Sequence, residues 1–153
     1  LVADKSKHYL VGRKSDVTEE MGYHLPLPIE IAHDDTSRHD IPIRIADDIE
    51  GNADRIKEIR IKMLIADLVT DDDVTFELNG KSLEHELIRR EYGNSIDAYW
   101  GQWLEFMLEG VRPSKGENTL SITLEKRAEG CIGTLVVEDV ETIVEYHPFR
   151  SRL

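Results

Sequence analysis

Four aromatic residues in one short stretch of the sequence have the chemistry to contact a sugar. They are Tyr92, Tyr99, Trp100 and Trp103. Aromatic rings stack on the C–H faces of sugars, and a phenol or an indole also offers a polar group to a sugar hydroxyl. Large aromatic side chains also fill cores and protein interfaces. The stretch therefore predicts four ligand-binding residues for carbohydrate, or a surface that is packed in a core or against a partner.

A second candidate site is acidic and would suit calcium. Asp47, Asp48 and Glu50 supply carboxylate oxygens, and calcium takes roughly six to eight oxygen ligands. Their spacing does not follow a recognised calcium loop, and aspartate is also common in solvated turns. The same alternatives hold for the Asp34–Asp35 pair and for the run from Asp71 to Asp73. These acidic patterns require no cofactor, and calcium is the one that they would accommodate.

The segment HDDTSRHD combines imidazole and carboxylate groups in a short space. His33, Asp34, Asp35, His39 and Asp40 are ligand types that zinc or another transition metal accepts. Their spacing matches no known metal signature, so the segment indicates a zinc site only weakly.

Patterns that would indicate catalysis are missing from the sequence. Glu105 and Glu109 could form a carboxylate pair, but a chain with 31 acidic residues supplies such pairs by accident. There is no G-x-S-x-G motif, no glycine-rich phosphate loop and no cysteine with an assignable histidine partner. We therefore predict that this chain is not an enzyme.

The charge balance restricts the class of partner. The chain has 31 acidic and 19 basic residues and a formal net charge of −12. Nucleic acids and anionic membrane surfaces both require a positive surface, so neither is an expected partner. A neutral or cationic ligand is easier to accommodate, although acidity of this size also serves solubility alone.

Length and termini predict one domain taken from a longer protein. A chain of 153 residues is long enough for a single core. No run of about 18 apolar residues is present, so no membrane insertion is expected. The lone Cys131 excludes an internal disulfide, and a start at Leu1 suggests a segment of a longer polypeptide.

The elements that would position these residues are strands. In the stretch from Asp71 to Leu83, Val74, Phe76 and Leu78 alternate with polar residues, and Asn79 with Gly80 forms a dipeptide typical of tight hairpins. Other segments alternate in the same way, with the following inward positions: Ile41, Ile43 and Ile45; Ile59, Ile61, Met63 and Ile65; Leu104, Phe106 and Leu108; Leu120, Ile122 and Leu124; and, in a bulged run, Leu135, Val137, Val140, Thr142, Val144 and Tyr146.

These strands predict an all-β fold, an antiparallel two-sheet β-sandwich over residues 1–153. Turns recur at short intervals and no alternation of strands with helices appears. Residues 1–24 would form a lead-in or an edge segment. The stretch near 84–94 is the one place for a short helix of about two turns or an irregular insertion.

Two turns of the second half resemble those of galactose-binding-like jelly-roll domains. Leu78 to Lys81 spell LNGK after a strand, Gly116 to Asn118 spell GEN before an alternating strand, and Val140 to Tyr146 form a closing strand. The resemblance covers about residues 56–146. It implies a jelly-roll sandwich of the kind found as non-catalytic modules beside glycoside hydrolases and other secreted or surface enzymes, some of which bind sugars and many of which carry calcium.

Two functions follow as expectations. The first is an accessory module of a larger protein that binds carbohydrate through exposed aromatic side chains. The second is a structural or assembly domain that uses the surface from Trp100 to Met107 to pack against a neighbouring domain or a sister subunit and binds no small molecule.

Overall fold

Two antiparallel sheets make up the part of the chain that the computed structural model describes, which is residues 2–13, 25–94 and 100–150. The first sheet contains β1 (Val2–Leu10), β2 (Ile29–Ile31), β4 (Ile56–Ala66), β7 (Leu87–Asn94), β8 (Trp100–Met107) and β10 (Leu135–Arg150). The second contains β3 (Arg38–Ile45), β5 (Asp73–Leu78), β6 (Lys81–Ser82) and β9 (Gly116–Lys126). The predicted all-β, two-sheet antiparallel fold is confirmed.

The strand order places β10 and β4 in the middle of the first sheet. That sheet runs β1-β10-β4-β8-β7, and β2 pairs with β10 on the same side as β1. The second sheet runs β3-β9-β5-β6. This arrangement is compatible with a jelly roll. Among the described residues, no helix is long and apolar enough to cross a membrane.

The core lies between the sheets and is made of the alternating positions that the sequence predicts. On β4, Ile59, Ile61, Met63 and Ile65 are buried, and the inward positions of β3, β8, β9 and β10 are buried with them, except Tyr146, which is half-buried. Phe76 of β5 meets Phe106 of β8 across the layers, with ring centroids 5.2 Å apart in an edge-on arrangement. The two sheets are therefore joined by one continuous apolar layer.

The turn between β5 and β6 is the predicted hairpin. Asn79 and Gly80 have φ angles of 52° and 80°, the left-handed region that a tight two-residue turn requires. The bulged run near the end of the chain is also confirmed, because the pairing of β10 with β4 shifts register between Val137 and Asp139.

The segment near residues 84–94 differs from the longer helix considered for it. A 3₁₀ helix covers only Glu84–Glu86, and Leu87–Asn94 is the edge strand β7, paired with β8. At the end of this helix the Glu86 carboxylate accepts hydrogen bonds from the backbone N–H groups of Gly110 (2.6 Å) and Val111 (2.9 Å), and Leu87 is already extended. The following residues instead satisfy their backbone groups by pairing with β8.

Candidate functional site

Two of the four predicted aromatic residues lie together at one end of the sandwich. Tyr92 is opposite Gln102 in the pairing of β7 with β8, and Trp100 is opposite Asn94. Directly opposed residues share a face, so Tyr92 and Trp100 are diagonal neighbours on one face of the sheet. The side chains are 56% and 69% exposed. We call this pair the aromatic end; Tyr99 lies outside the described residues.

The Tyr92 ring is held in place through its hydroxyl. The backbone N–H and the hydroxyl of Thr70 both lie within hydrogen-bonding distance of the Tyr92 hydroxyl, at 3.1 and 3.0 Å. These hydrogen bonds lower the pKa of Tyr92 below its usual value. A ring fixed in this way loses little conformational entropy when a ligand stacks on it.

Behind Tyr92 a polar network supports Thr70. The buried Gln102 amide donates to the Thr70 hydroxyl (3.2 Å) and accepts from Arg90 Nε (2.5 Å). Arg90 also donates to the carbonyl of Val69 (2.5 Å). Burial lowers the pKa of Arg90, although the neighbouring acidic groups act against this shift. The aromatic end is thus built on a connected set of hydrogen bonds.

Trp103 is on the other face of the same sheet. It is 36% exposed and borders a shallow cavity of about 190 Å³ with charged neighbours that include Lys62, Arg89 and Glu91. The indole lies against Gly93, where a Cβ would come within 2.8 Å of Trp103 Cδ1. The structure therefore does not bring Trp103 together with Tyr92 and Trp100.

The predicted calcium residue Asp47 has other partners. Its carboxylate is buried and accepts hydrogen bonds from the hydroxyls of Tyr9 and Tyr146, with Lys7 Nζ 3.5 Å away. Burial, together with the hydrogen bond to Asp47 and its charge, raises the pKa of Tyr146 to about 12. This cluster connects β1, the loop after β3 and β10.

The other two predicted calcium ligands are used differently. Asp48 Oδ1 accepts from the N–H of Gly51 at 3.0 Å and closes the loop, while Glu50 is exposed. No group of three or more acidic, histidine or cysteine side chains within the described ranges could hold a metal ion. Calcium at Asp47, Asp48 and Glu50 thus stays a prediction that the geometry of these side chains does not support.

A groove of about 740 Å³ lies beside Asp47 at the end of the sandwich opposite the aromatic end. Lys5, Asn52, Asp54, Arg55 and His147 contribute to its lining. It differs from the aromatic end because its lining mixes both signs of charge. We describe it as a second cavity of ligand size.

The HDDTSRHD segment forms a turn in which Asp35, His39 and Asp40 are already hydrogen-bonded. Asp35 accepts from the backbone N–H of Ser37 (2.9 Å) and from its hydroxyl, and Asp35 lies 2.9 Å from Nε2 of His39. Asp40 accepts from the hydroxyl of Ser121 at 2.7 Å. These contacts explain the segment as a hydrogen-bonded turn, and the zinc site stays a prediction.

One measurable result follows for this turn. The hydrogen bonds from Ser37 and then from His39 lower the pKa of Asp35 from 3.8 to about 2. We expect Ser37→Ala to raise that pKa toward 3.8, because the largest of these contributions, the bond from the serine hydroxyl, is removed. An NMR titration of the Asp35 carboxyl checks this result. Thr36→Ala is the matched control, and an unchanged Asp35 pKa in Ser37→Ala would contradict the assignment.

One member of the Glu105–Glu109 pair considered for catalysis is occupied by ion pairs, while Glu109 is exposed. Glu105 is buried and lies 2.7 Å from Arg60 Nη1, with Arg89 Nη1 3.6 Å from its other oxygen. Burial opposes the charge of Arg60, but its hydrogen bond to Glu105 raises its pKa. The Glu105 carboxylate is therefore committed to holding β4, β8 and β7 together.

Sequence reasoning missed a buried ion pair near the aromatic end. Asp72, expected as a solvated turn carboxylate, has no exposed side-chain surface, and Arg127 Nε donates to it at 2.8 Å. The expectation of a solvated residue is wrong at this position, because Arg127 comes from a loop far along the chain.

Comparison with known proteins leaves the function to be argued from this geometry. No family model matches the chain, and no curated protein is significantly similar to it.

Proposed function

We propose that this chain is a non-catalytic accessory module of a larger protein, and that it binds carbohydrate at the aromatic end. The observation that carries the proposal is the shared exposure of Tyr92 and Trp100 on one face of adjacent strands. Exposed large aromatic side chains side by side are unusual on a surface with no binding role.

The geometry suits a pyranose ring. A sugar lying across β7 and β8 would stack its C–H face on the two rings. Thr70 and the Tyr92 hydroxyl lie at the rim and offer hydrogen bonds to sugar hydroxyls. A neutral saccharide is also compatible with a chain of net charge −12.

The resemblance to galactose-binding-like domains supports the same proposal through the LNGK hairpin and the GEN residues, which begin β9 and contact that hairpin. Asn79 of LNGK donates through Nδ2 to Oδ1 of Asn118 in GEN at 2.9 Å. The resemblance implies that some of these domains bind sugars through their end loops. The module would then serve a secreted or cell-surface enzyme, with galactose-binding-like topology as the finer form of the observed sandwich.

Replacing Trp100 tests the sugar site directly. We expect Trp100→Ala to weaken binding of the best saccharide at least about tenfold, because a stacked aromatic contributes on the order of 1 kcal/mol or more beyond its buried area. Glycan arrays would identify the saccharide and calorimetry would measure its affinity. Trp103→Ala is the matched control, since Trp103 lies on the opposite face, and it should leave binding unchanged.

Two results would contradict the sugar proposal. One is the absence of saccharide binding by the folded wild-type chain on a broad array. The other is equal loss of affinity in Trp103→Ala and Trp100→Ala, which would place the ligand elsewhere.

A second candidate function is supported by the position of Trp103. Its exposed indole, surrounded by Lys62, Arg89 and Glu91, resembles an interface residue with a charged rim. In this case the outer face of the first sheet packs against a neighbouring domain and binds no small molecule. Loss of that domain contact in Trp103→Ala, with Trp100→Ala unaffected, would favour assembly over sugar binding.

A further inference from the structure

The strand β7 is an open edge of the first sheet. Within the described residues it pairs only with β8 and stands last in the strand order. Leu87, Ile88, Arg89, Glu91 and Tyr92 along it are all exposed. An edge strand of this length presents unpaired backbone groups that a further strand could use.

Charged side chains on an edge usually prevent such pairing, but here their order makes them self-complementary. Arg89 is opposite Glu105 and Glu91 is opposite Trp103, so both point to the outer face of the sheet. Within one chain, Arg89 Nε lies 3.6 Å from Glu91 and both side chains are more than half exposed. Arg89 also lies 3.6 Å from the buried Glu105, so its contact with Glu91 is the one available for exchange with an identical pair.

Symmetry restricts how two β7 strands could meet. A two-fold axis perpendicular to the sheet keeps each face of the sheet on the same side in both copies. Residues opposite one another must therefore be both odd-numbered or both even-numbered. A register centred on residue 89 opposes Arg89 to itself, and one centred on residue 91 opposes Glu91 to itself. Only the register centred on Arg90 places Arg89 opposite Glu91 of the second copy, and it does so twice.

The remaining residues limit how far this register extends. The central Arg90 is directed into its own molecule, where it donates to Gln102 and Val69. Its guanidinium therefore does not face its symmetry mate. β7 is irregular between Leu87 and Arg89, so the regular pairing in this register covers Arg89 to Glu91, and Ile88 lies at its rim.

We propose that two copies of this chain associate through β7 in this register and form one continuous sheet. The association uses the edge of the sheet, not the faces that carry Trp100 and Trp103. It does not depend on the carbohydrate proposal, because it is measured without any saccharide. The added strand would lie beside Tyr92 and leave the face of its ring open.

Charge exchange provides the test, measured by sedimentation equilibrium at low salt. We expect the wild-type chain to form a concentration-dependent dimer. Arg89→Glu and Glu91→Arg should each weaken association at least about tenfold, since each places like charges opposite one another twice. The double variant Arg89→Glu/Glu91→Arg keeps the wild-type net charge and should restore the dimer.

A mixture of the two single variants gives an independent result. Arg89→Glu and Glu91→Arg are complementary across the proposed register, so the mixture should form a heterodimer although neither variant dimerises alone. Arg44→Glu on β3, the edge of the other sheet, is the matched control and should leave association unchanged. Melting curves will show whether each variant is folded, because Arg89→Glu also removes a cation that lies 3.6 Å from the buried Glu105.

Three outcomes would overturn the proposal. The first is a wild-type monomer at every concentration up to the millimolar range. The second is a dimer that folded Arg89→Glu or Glu91→Arg leaves intact. The third is a double variant that stays monomeric although both single variants have lost the dimer. That result would show that each residue is needed for a reason other than its charge opposite the second copy.

Discussion

Replacing Arg127 with methionine should lower the free energy of unfolding by about 3 to 5 kcal/mol, among the largest single-residue effects in this chain. The substitution keeps most of the side-chain volume and removes the charge. The Asp72 carboxylate, which has no exposed surface, would remain buried without its counter-ion. Burying an unpaired charge costs far more than an ion pair contributes.

The contacts around this pair explain the size of the effect. Arg127 also donates to the Asp67 carbonyl (2.9 Å) and lies 3.1 Å from the Asp67 carboxylate. Asp72 accepts from the N–H groups of Val69 (2.9 Å) and Ala128 (2.7 Å). The pair thus holds the loop after β4 against the loop after β9, and its loss leaves several polar groups unsatisfied.

Chemical denaturation of the wild type and of Arg127→Met measures the difference. The matched control is Arg44→Met, because Arg44 is 83% exposed and 3.8 Å from an exposed Glu117. The control should change the free energy by no more than about 0.5 kcal/mol. A loss below about 1 kcal/mol in Arg127→Met would show that the Asp72 carboxylate is reached by water or neutralised.

The same pair predicts the direction of the pH dependence. Burial raises the pKa of Asp72, but the hydrogen bonds from Arg127, Val69 and Ala128 outweigh it, so the pKa lies below its usual value. Its contribution to stability is therefore complete above the unfolded pKa of about 3.9 and is lost as the pH falls through the folded pKa. In Arg127→Met the unpaired carboxylate should bind a proton at higher pH, so the difference between the two proteins should shrink on acidification.

Local sequence patterns predicted the strands, but they did not predict contacts between residues that are far apart in the sequence. The alternation of Val74, Phe76 and Leu78 and the Asn79–Gly80 turn involve only neighbouring residues, and the structure confirms them. Whether Asp72 is solvated depends on Arg127, which is 55 residues further along. Nothing in the run of three aspartates distinguishes the central one. Tertiary contacts decided its burial.

The sequence predicted only part of the candidate site, because the rest depends on how separate segments of the chain pair with one another. Trp100 and Trp103 are separated by an odd number of positions in a strand, so they had to lie on opposite faces once β8 was identified. Tyr92 could join Trp100 only if its own segment was a strand, and the charge of residues 87–94 concealed this. Alternation of Arg89 and Glu91 with Arg90 and Tyr92 was the available signal.

Asp47 is a residue for which the sequence allowed two interpretations. An acidic loop is typical of calcium binding and of solvated turns alike, and the sequence could not choose between them. The partners that account for Asp47, Tyr9 and Tyr146, come from β1 and β10, near the two ends of the chain. The spacing of residues within the loop cannot indicate that tyrosine hydroxyls from such distant segments bind Asp47.

Replacing Asn118 with aspartate should destabilise the fold by about 3 kcal/mol or more. Asn118 is 2% exposed, and its Nδ2 donates to the carbonyls of Ser114 (2.8 Å), Gly116 (3.2 Å) and Ile43 (3.4 Å). Aspartate has nearly the same shape but replaces this donor with an acceptor. Two or more carbonyl oxygens would then face a buried carboxylate oxygen.

The oxygen of the Asn118 amide also accepts hydrogen bonds, so the substitution should destabilise more than one turn. Its Oδ1 accepts from the N–H of Ser114 (2.8 Å) and from Asn79 Nδ2 (2.9 Å), while Asn79 Oδ1 accepts from the N–H of Thr119 (2.8 Å). The hairpin after β5 and the turn before β9 are therefore one hydrogen-bonded unit. This contact gives a physical reason for finding the LNGK and GEN turns in the same chain.

Thermal and urea unfolding of Asn118→Asp, Asn118→Ala and Asn52→Asp would separate these contributions. Asn52 donates to the Asp48 carbonyl at 2.8 Å in an exposed loop, so Asn52→Asp is the matched control and should cost less than about 1 kcal/mol. Asn118→Asp should be less stable than Asn118→Ala near neutral pH, and protonating the new carboxyl should narrow that gap. If Asn118→Asp were as stable as the control, water would have to enter this region, and the two asparagines could not form the closed unit that links the hairpin after β5 to the start of β9.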